Sequence, residues 1–397
     1  MKRIYLDNAA TTAPYPAVLA AMTDTAQRFY GNPSSLHSEG QAAQKLLSDC
    51  RARMAARLGC APDELYFTSG GSEADNWAIR GLAQAGAKKG KRRIVTSAFE
   101  HHAVLHTLKA LEKEGFAVTY LPVHEDGYVC PAELAAALRD DTALATVMYA
   151  NNEIGTIQPV AELGAICRAH GVPFHTDAVQ AAGHVRIDVA RESIDLLSLS
   201  AHKFHGPRGI GALYVRKGLS LPNLIEGGAQ ERGRRAGTEN LPAIHGMTLA
   251  LETALDGLER TAPHVRALRD RLIAGALEIE RSRVNGGMDR RLDGNVSVCF
   301  EGVEGEALLL HLDLAGIAAS SGSACTSGSL DPSHVLLALG RPHEIAHGSL
   351  RLTLSHETTV EEVDYMIDAV TQVVAYLRSI SPVWRDLQSG KQNFVIQ

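Results

Sequence analysis

Between about residue 60 and residue 215, short apolar runs alternate with longer stretches of helical periodicity, and this alternation narrows the fold more than any other feature of the chain. Leu65-Tyr66-Phe67, Arg93-Ile94-Val95, Ala145-Thr146-Val147-Met148 and Leu196-Leu197-Ser198-Leu199 have the length and apolar character of buried strands. Parallel strands need long crossovers, usually helical, so the pattern predicts a mostly parallel α/β sheet. After Ser72, residues Ala74, Trp77, Ala78, Gly81 and Leu82 recur at i, i+3, i+4, i+7 and i+8, which predicts a helix with one face on that sheet. Farther on, a Leu- and Ala-rich helical pattern from Leu249 to Leu277, interrupted by Pro263, reads as the passage into a second domain. Strands are expected there near Val296–Phe300 and Leu350–Leu354. A chain of 397 residues exceeds what one small core supports, and two domains would leave a cleft for chemistry.

Charge and cysteine usage bound the partners. The formal charge of -6 argues against a basic surface for nucleic acid or anionic membrane, so neither partner is expected. The charged start MKRIYLDNAATT has no apolar signal core, and no run approaches the ~18 apolar residues of a membrane span, so a cytoplasmic location is expected. The six cysteines are scattered and form no C-x-x-C, which indicates neither structural zinc nor a disulfide scaffold. Cys50, Cys60, Cys130, Cys167 and Cys299 read as small core residues. No HExxH pattern occurs among the histidines.

Five features carry chemistry, each beside a plainer explanation. Thr68-Ser69-Gly70-Gly71-Ser72-Glu73 follows a strand and opens the predicted helix, where backbone N–H groups and the helix dipole favour a phosphate; ordinary helix capping is the alternative. Lys203 follows the apolar run Leu196–Ser200, and a lysine at the end of a buried strand is costly unless paired or used covalently; it can also snorkel to solvent. Asp177 ends the segment Phe174-His175-Thr176-Asp177, where a carboxylate can keep a pyridine nitrogen protonated or can cap a helix over Ala178–Ala182. In Leu350-Arg351-Leu352-Thr353-Leu354, strand alternation buries the leucines and turns Arg351 the other way, toward a substrate carboxylate or a surface salt bridge. Finally, Cys325 is displayed in SSGSACTSGS, seven of ten residues being Ser or Gly, a setting that favours reactivity over packing.

Taken in order, LDNAATT, YGNPSSLH, FTSGGSEADN, EHHAV, NNEIGT, HTDAVQ, SAHKFHGPRGIG, QERGRRAGTEN and SSGSACTSGSLDPSHVL resemble the cysteine desulfurases of the NifS/IscS type. These are class V aminotransferase-like enzymes of fold-type I, and the resemblance runs from Tyr5 to about Tyr376. It implies a large pyridoxal-phosphate-binding domain (16–255) with a mostly parallel seven-stranded sheet, and a smaller α+β domain (1–15 and 256–397) carrying Cys325. By position, Lys203 corresponds to the Schiff-base lysine, Asp177 to the partner of the pyridine nitrogen, and Gln180 and Asn152 to contacts of the ring substituents. His101 corresponds to the imidazole stacked on the ring, and Gly71, Ser72, Ser200 and His202 to phosphate contacts. Thr238 corresponds to a phosphate contact donated across a homodimer interface, Arg351 (with Asn152) to the substrate site, and Cys325 to the sulfur-accepting nucleophile.

The implied reaction takes sulfur from L-cysteine, leaves L-alanine and a Cys325 persulfide, and passes the sulfur to a scaffold or carrier protein, with iron–sulfur cluster assembly as the expected destination. The only metal contact implied is a transient iron–sulfur contact at Cys325. A class V aminotransferase or a cysteine or selenocysteine lyase would share Lys203, Asp177 and Arg351 without needing the cysteine, and a catalytically idle sulfur-relay or scaffold-binding protein would keep the fold and use the loop only for docking. Two stretches depart from the family pattern: Leu354-Ser355-His356-Glu357, and the tail after Tyr376.

Overall fold

The computed structural model describes residues 3–321 and 332–396, so Cys325 lies outside the described residues. Twelve strands form among them: β1 (Ile4–Tyr5), β2 (Leu65–Thr68), β3 (Arg93–Ser97), β4 (Ala117–Leu121), β5 (Thr142–Thr146), β6 (Phe174–Asp177), β7 (Leu196–Ser200), β8 (Gly211–Val215), β9 (Ser282–Val284), β10 (Asn295–Phe300), β11 (Ile317–Ala318) and β12 (Ser349–Thr353). Seven make one sheet in the order β2-β8-β7-β6-β5-β3-β4. The pairs from β4 through β7 are parallel, and β8 runs antiparallel to both β7 and β2. The mostly parallel α/β sheet expected from the sequence is present.

Each position of β5, β6, β7 and β8 is buried, because helices cover both faces of the sheet. On one face the Gly71–Ala87 helix lies across β5, β7 and β8 with Ala74, Trp77, Ala78, Gly81 and Leu82 turned inward, as their spacing predicted. On the other, Val95, Val147, Phe174 and Leu199 share a core with Met54 of the Ser38–Leu58 helix and Leu163 of the Val160–Ala169 helix. Each fully buried side chain of this size contributes roughly 1.5–3 kcal/mol relative to exposure.

A smaller layer has its own core. Strands β12, β10 and β9 form an antiparallel sheet, with β1 and β11 paired in parallel beside it. Leu268, Leu272, Val296, Val298, Leu350, Leu352, Val363 and Met366 fill its interior. The pattern that Pro263 interrupts in the sequence is one continuous helix, Leu241–Leu277, with Pro263 inside it. An interior proline costs about 3 kcal/mol. Here the helix is held in both cores, by Ile244, Met247 and Leu251 in one and by Leu268, Leu272 and Ile273 in the other. That packing outweighs the local penalty.

The segment after β1 ties the two layers together. Asp7 bridges Thr353 of β12, and Thr12 donates its backbone N–H to the His202 carbonyl at 2.9 Å. The tail after Tyr376 also folds back: the N–H groups of Val395 and Ile396 donate to the Glu301 carboxylate at 2.7 and 2.9 Å, and Phe394 meets the edge of Trp384. Of the five cysteines expected in the core, Cys50, Cys167 and Cys299 are buried, whereas Cys60 and Cys130 are only partly so. Their neighbours Pro62 and Pro131 begin short helical turns at the protein surface. No helix among the described residues is long and apolar enough to cross a membrane.

Candidate active site

All strands of the large sheet except β8 end on one side of the molecule, the place where open α/β sheets bind ligands. Asp177 closes β6, and Ser200 closes β7 just before the single turn Ala201–Lys203. His101 follows β3, and Gly71 and Ser72 begin the helix after β2. Together with Asn152, Gln180, His202, Lys203 and Arg351 they line one cavity of about 320 Å³. Ala9 and Ala10 complete its wall. Thr238 is not among its lining residues, and Cys325 and any iron–sulfur contact there lie outside the described residues.

Lys203 does not snorkel to solvent. Its Nζ donates to the carbonyls of Ala9 at 2.6 Å and Ala10 at 2.8 Å, so a segment leading from the small sheet holds the amine in the cavity. Gln180 Nε2 donates to the same Ala9 carbonyl at 2.9 Å. Asp177 caps no helix; its Oδ1 accepts from Val179 N–H at 2.9 Å in a turn. Burial raises its carboxyl to about 6, against the Val179 hydrogen bond and the Lys203 charge, which lower it. A carboxylate in this position is stabilised by a cationic N–H facing it from the cavity.

Two further carboxyls lie beneath Asp177, and sequence reasoning missed both. Asp75 lines the cavity from the Gly71–Ala87 helix, and burial together with the neighbouring Asp177 holds it well above the usual carboxylate range. Glu100 is raised to about 8 by burial; its Oε1 accepts from Ser97 Oγ and from Met148 N–H at 3.0 Å, while Oε2 has no partner. Both stand inside motifs already singled out, FTSGGSEADN and EHHAV, and that was the available signal. His175 alongside is pushed down to about 3 by burial, with its ring nitrogens on Thr146 Oγ1 (2.8 Å) and Ser198 Oγ (2.9 Å).

His101 caps the His102–Lys113 helix: its Nδ1 accepts from Ala103 N–H at 3.1 Å. That bond leaves the proton of the neutral ring on Nε2. Burial, then the Lys203 charge, lower its pKa to about 4, so the imidazole is neutral near pH 7. At the head of the neighbouring helix, a Cβ on Gly71 would lie 2.6 Å from Val179 Cγ2, so only glycine lets that backbone close on the turn after Asp177. The first turn of this helix, with Ser72 beside Ser200 and His202, offers the donors that an anion of the phosphate kind requires.

Arg351 is 3% exposed, and its salt bridge is to the part-buried Asp7 rather than at the surface. Its NH2 donates to Asp7 Oδ1 at 2.9 Å and its NH1 to the Asn152 carbonyl at 3.4 Å, while its Nε is buried without a hydrogen-bond partner. A buried guanidinium in a cavity wall suits a carboxylate. The unfamiliar stretch after Arg351 belongs to a second cavity of about 310 Å³ on the far side of Ala9 and Gln180. There His356 packs against Tyr15 and His205.

Residues 4–366 match the family described as aminotransferase class-V. The chain is 50% identical over 394 residues to "Cysteine desulfurase IscS" of Clostridium botulinum (strain Hall), covering 98% of this chain and 99% of the relative. With "Cysteine desulfurase IscS" of Methanosarcina thermophila it shares 53% over 382 residues, covering 96% and 94%. A solved structure titled "NIFS-LIKE PROTEIN" superposes with a TM-score of 0.89 at 38% identity, over 94% of this chain and 100% of the other. Another, "SspA in complex with cysteine", gives a TM-score of 0.79 at 36% identity, over 90% and 100%. The chain therefore belongs to the class-V aminotransferase family and, within it, to the cysteine desulfurases.

Proposed function

We propose that this chain is a pyridoxal-phosphate-dependent cysteine desulfurase that converts L-cysteine to L-alanine and stores the sulfur as a persulfide on Cys325. The observation that carries the reading is the single cavity in which a lysine amine, a buried carboxylate, a neutral imidazole, a helix N-terminus and a buried arginine converge. These groups fit pyridoxal phosphate and an amino acid. Lys203 would hold the cofactor covalently, Asp177 would face its ring nitrogen, and Gly71, Ser72, Ser200 and His202 would receive its phosphate. His101, Asn152 and Gln180 would take the ring and its substituents. In the proposed homodimer, Thr238 reaches across to the other subunit's phosphate site. When bound, the cofactor supplies a sink for the electrons released at the substrate Cα.

The chain's own residues do the rest. Arg351, with Asn152, binds the α-carboxylate of L-cysteine and so orients the Cα–H bond. Lys203 Nζ, freed once the substrate amine has displaced it, would accept the Cα proton. His101 stays neutral and presents Nε2–H, which makes it a donor and a stacking surface rather than the base. The Cys325 thiolate attacks the substrate sulfur, the Cβ–S bond breaks with its electron pair going to carbon, and protonation there completes alanine. Cysteine plus thiol thus become alanine plus persulfide, with no outside oxidant or reductant. The persulfide passes to a scaffold or carrier protein, with iron–sulfur cluster assembly as the proposed destination.

Reconstitution with pyridoxal phosphate tests the assignment. The wild type is expected to gain the visible absorbance of a pyridoxal Schiff base that survives desalting. Lys203→Ala is expected to lose it. A Lys203→Ala protein that keeps the Schiff-base band would remove Lys203 from its role.

A further inference from the structure

Glu153 is a buried carboxyl that the proposed chemistry does not use. It is 5% exposed, and its Oε2 accepts a hydrogen bond from Ser333 Oγ, itself 3% exposed. Ser333 Oγ in turn accepts from the N–H groups of Val335 (3.1 Å) and Leu336 (3.3 Å), so the Glu153 contact fixes the head of the His334–Ala338 helix. Next to it, His334 Nε2 meets the Glu100 carbonyl at 3.0 Å. Glu153 is itself fixed: its N–H donates to Asn151 Oδ1 at 2.8 Å and its carbonyl accepts from Asn295 Nδ2 at 3.3 Å.

The described residues on either side of 322–331 are thereby tied to one network around Arg351 and Glu153. On the approach, Ser320 and Arg351 exchange backbone hydrogen bonds at 3.2 and 2.7 Å. On the return, Ser333 is held by Glu153, whose neighbour Asn152 accepts from Arg351 NH1. Burying a carboxyl against a hydroxyl costs stability that an apolar pair would not. The contact is therefore better explained by the position it enforces than by the stability it adds.

We propose that Glu153 is a positioning residue for sulfur transfer, which through Ser333 fixes the returning end of the Cys325 segment against the Arg351 site. This rests on the reading that Cys325 accepts the sulfur. It predicts that substrate binding and sulfur transfer respond differently when the contact is cut, since misplacement by about 1 Å can cost on the order of a hundredfold in rate.

The test is a single turnover of the holoenzyme with L-cysteine. Substrate binding is read from the cofactor's visible spectrum, and persulfide on Cys325 by alkylation and mass spectrometry. Glu153→Ala and Ser333→Ala are expected to bind L-cysteine within about twofold of wild type and to form persulfide about tenfold or more slowly. The double variant is expected to be no slower than the slower single one, because both remove one contact. Ser333→Thr and Glu153→Gln, which keep a hydroxyl and an acceptor oxygen, are expected within about threefold of wild type, and they serve if the alanine variants do not fold. Persulfide formation at the wild-type rate in the alanine variants, equal losses of binding and transfer, or multiplying losses in the double variant would overturn the proposal. A Cys325→Ser enzyme releasing alanine at the wild-type rate would instead overturn the functional reading, whatever the Glu153 variants do.

Discussion

The buried carboxyls set the electrostatics of the cavity residue by residue. Glu100 has a raised pKa of about 8, because burial penalises its charge more than Ser97 and Met148 favour it. A carboxyl whose folded pKa is raised stabilises the fold while protonated, and that contribution is lost as pH rises through the folded value. The cofactor-free protein is therefore expected to lose stability between about pH 5 and pH 8, and Glu100→Gln to flatten the loss. The difference at pH 8 should be on the order of a few kcal/mol, measured by urea unfolding across that range. An unchanged pH profile in Glu100→Gln would contradict the assignment. The motifs that contain these residues gave no sign of their burial. Asp75 and Glu100 stand among ordinary polar residues, and only the tertiary fold removes them from water. Lys203, Asp177 and Arg351 were legible for the opposite reason: a charged residue next to an apolar run is conspicuous on its own.

At the scale of elements, the QERGRRAGTEN segment shows how a strained turn is held. Glu231 and Arg232 both take left-handed backbone conformations, with φ of 46° and 60°. Such strain costs about 1–3 kcal/mol per residue and persists only where contacts over-determine it. Here the Glu231 carboxylate accepts from Arg51 NH1 (2.7 Å), Arg51 NH2 (2.6 Å) and Phe67 N–H (3.0 Å), joining the segment to β2 and to the Ser38–Leu58 helix. Glu231→Ala is expected to destabilise the protein by about 3–5 kcal/mol, since it leaves Arg51 buried and unpaired. Denaturant unfolding measures this, and a loss below about 1 kcal/mol would show the pair to be dispensable. The strands and the Gly71–Ala87 helix were readable because burial on two faces or on one stripe leaves a periodic record. Pro263 misled for a physical reason: helix-breaking is a local rule, and packing in two cores overrides it.

For the whole molecule, the arrangement that matters is the meeting of two layers at one cavity. The large sheet brings Asp177, Ser200 and the Lys203 turn together at the ends of its central strands; the smaller layer contributes Arg351, and the N-terminal segment places Ala9 and Ala10 on Lys203. Periodicity marked the strands of both layers, and the ordered motifs hold most residues that line the cavity, although Arg351 lies outside them and Thr238, inside one, does not line it. How the tail docks on Glu301 was not legible, because backbone N–H groups carry no mark in a sequence. The measurement that bears most directly on the central claim is the parallel quantification of alanine and sulfide from L-cysteine and a reductant, for wild type and Cys325→Ala. The account predicts equimolar products from the wild type and neither from the variant, with the cofactor's colour retained in both. Full turnover in Cys325→Ala, or pyruvate in place of alanine from the wild type, would contradict it.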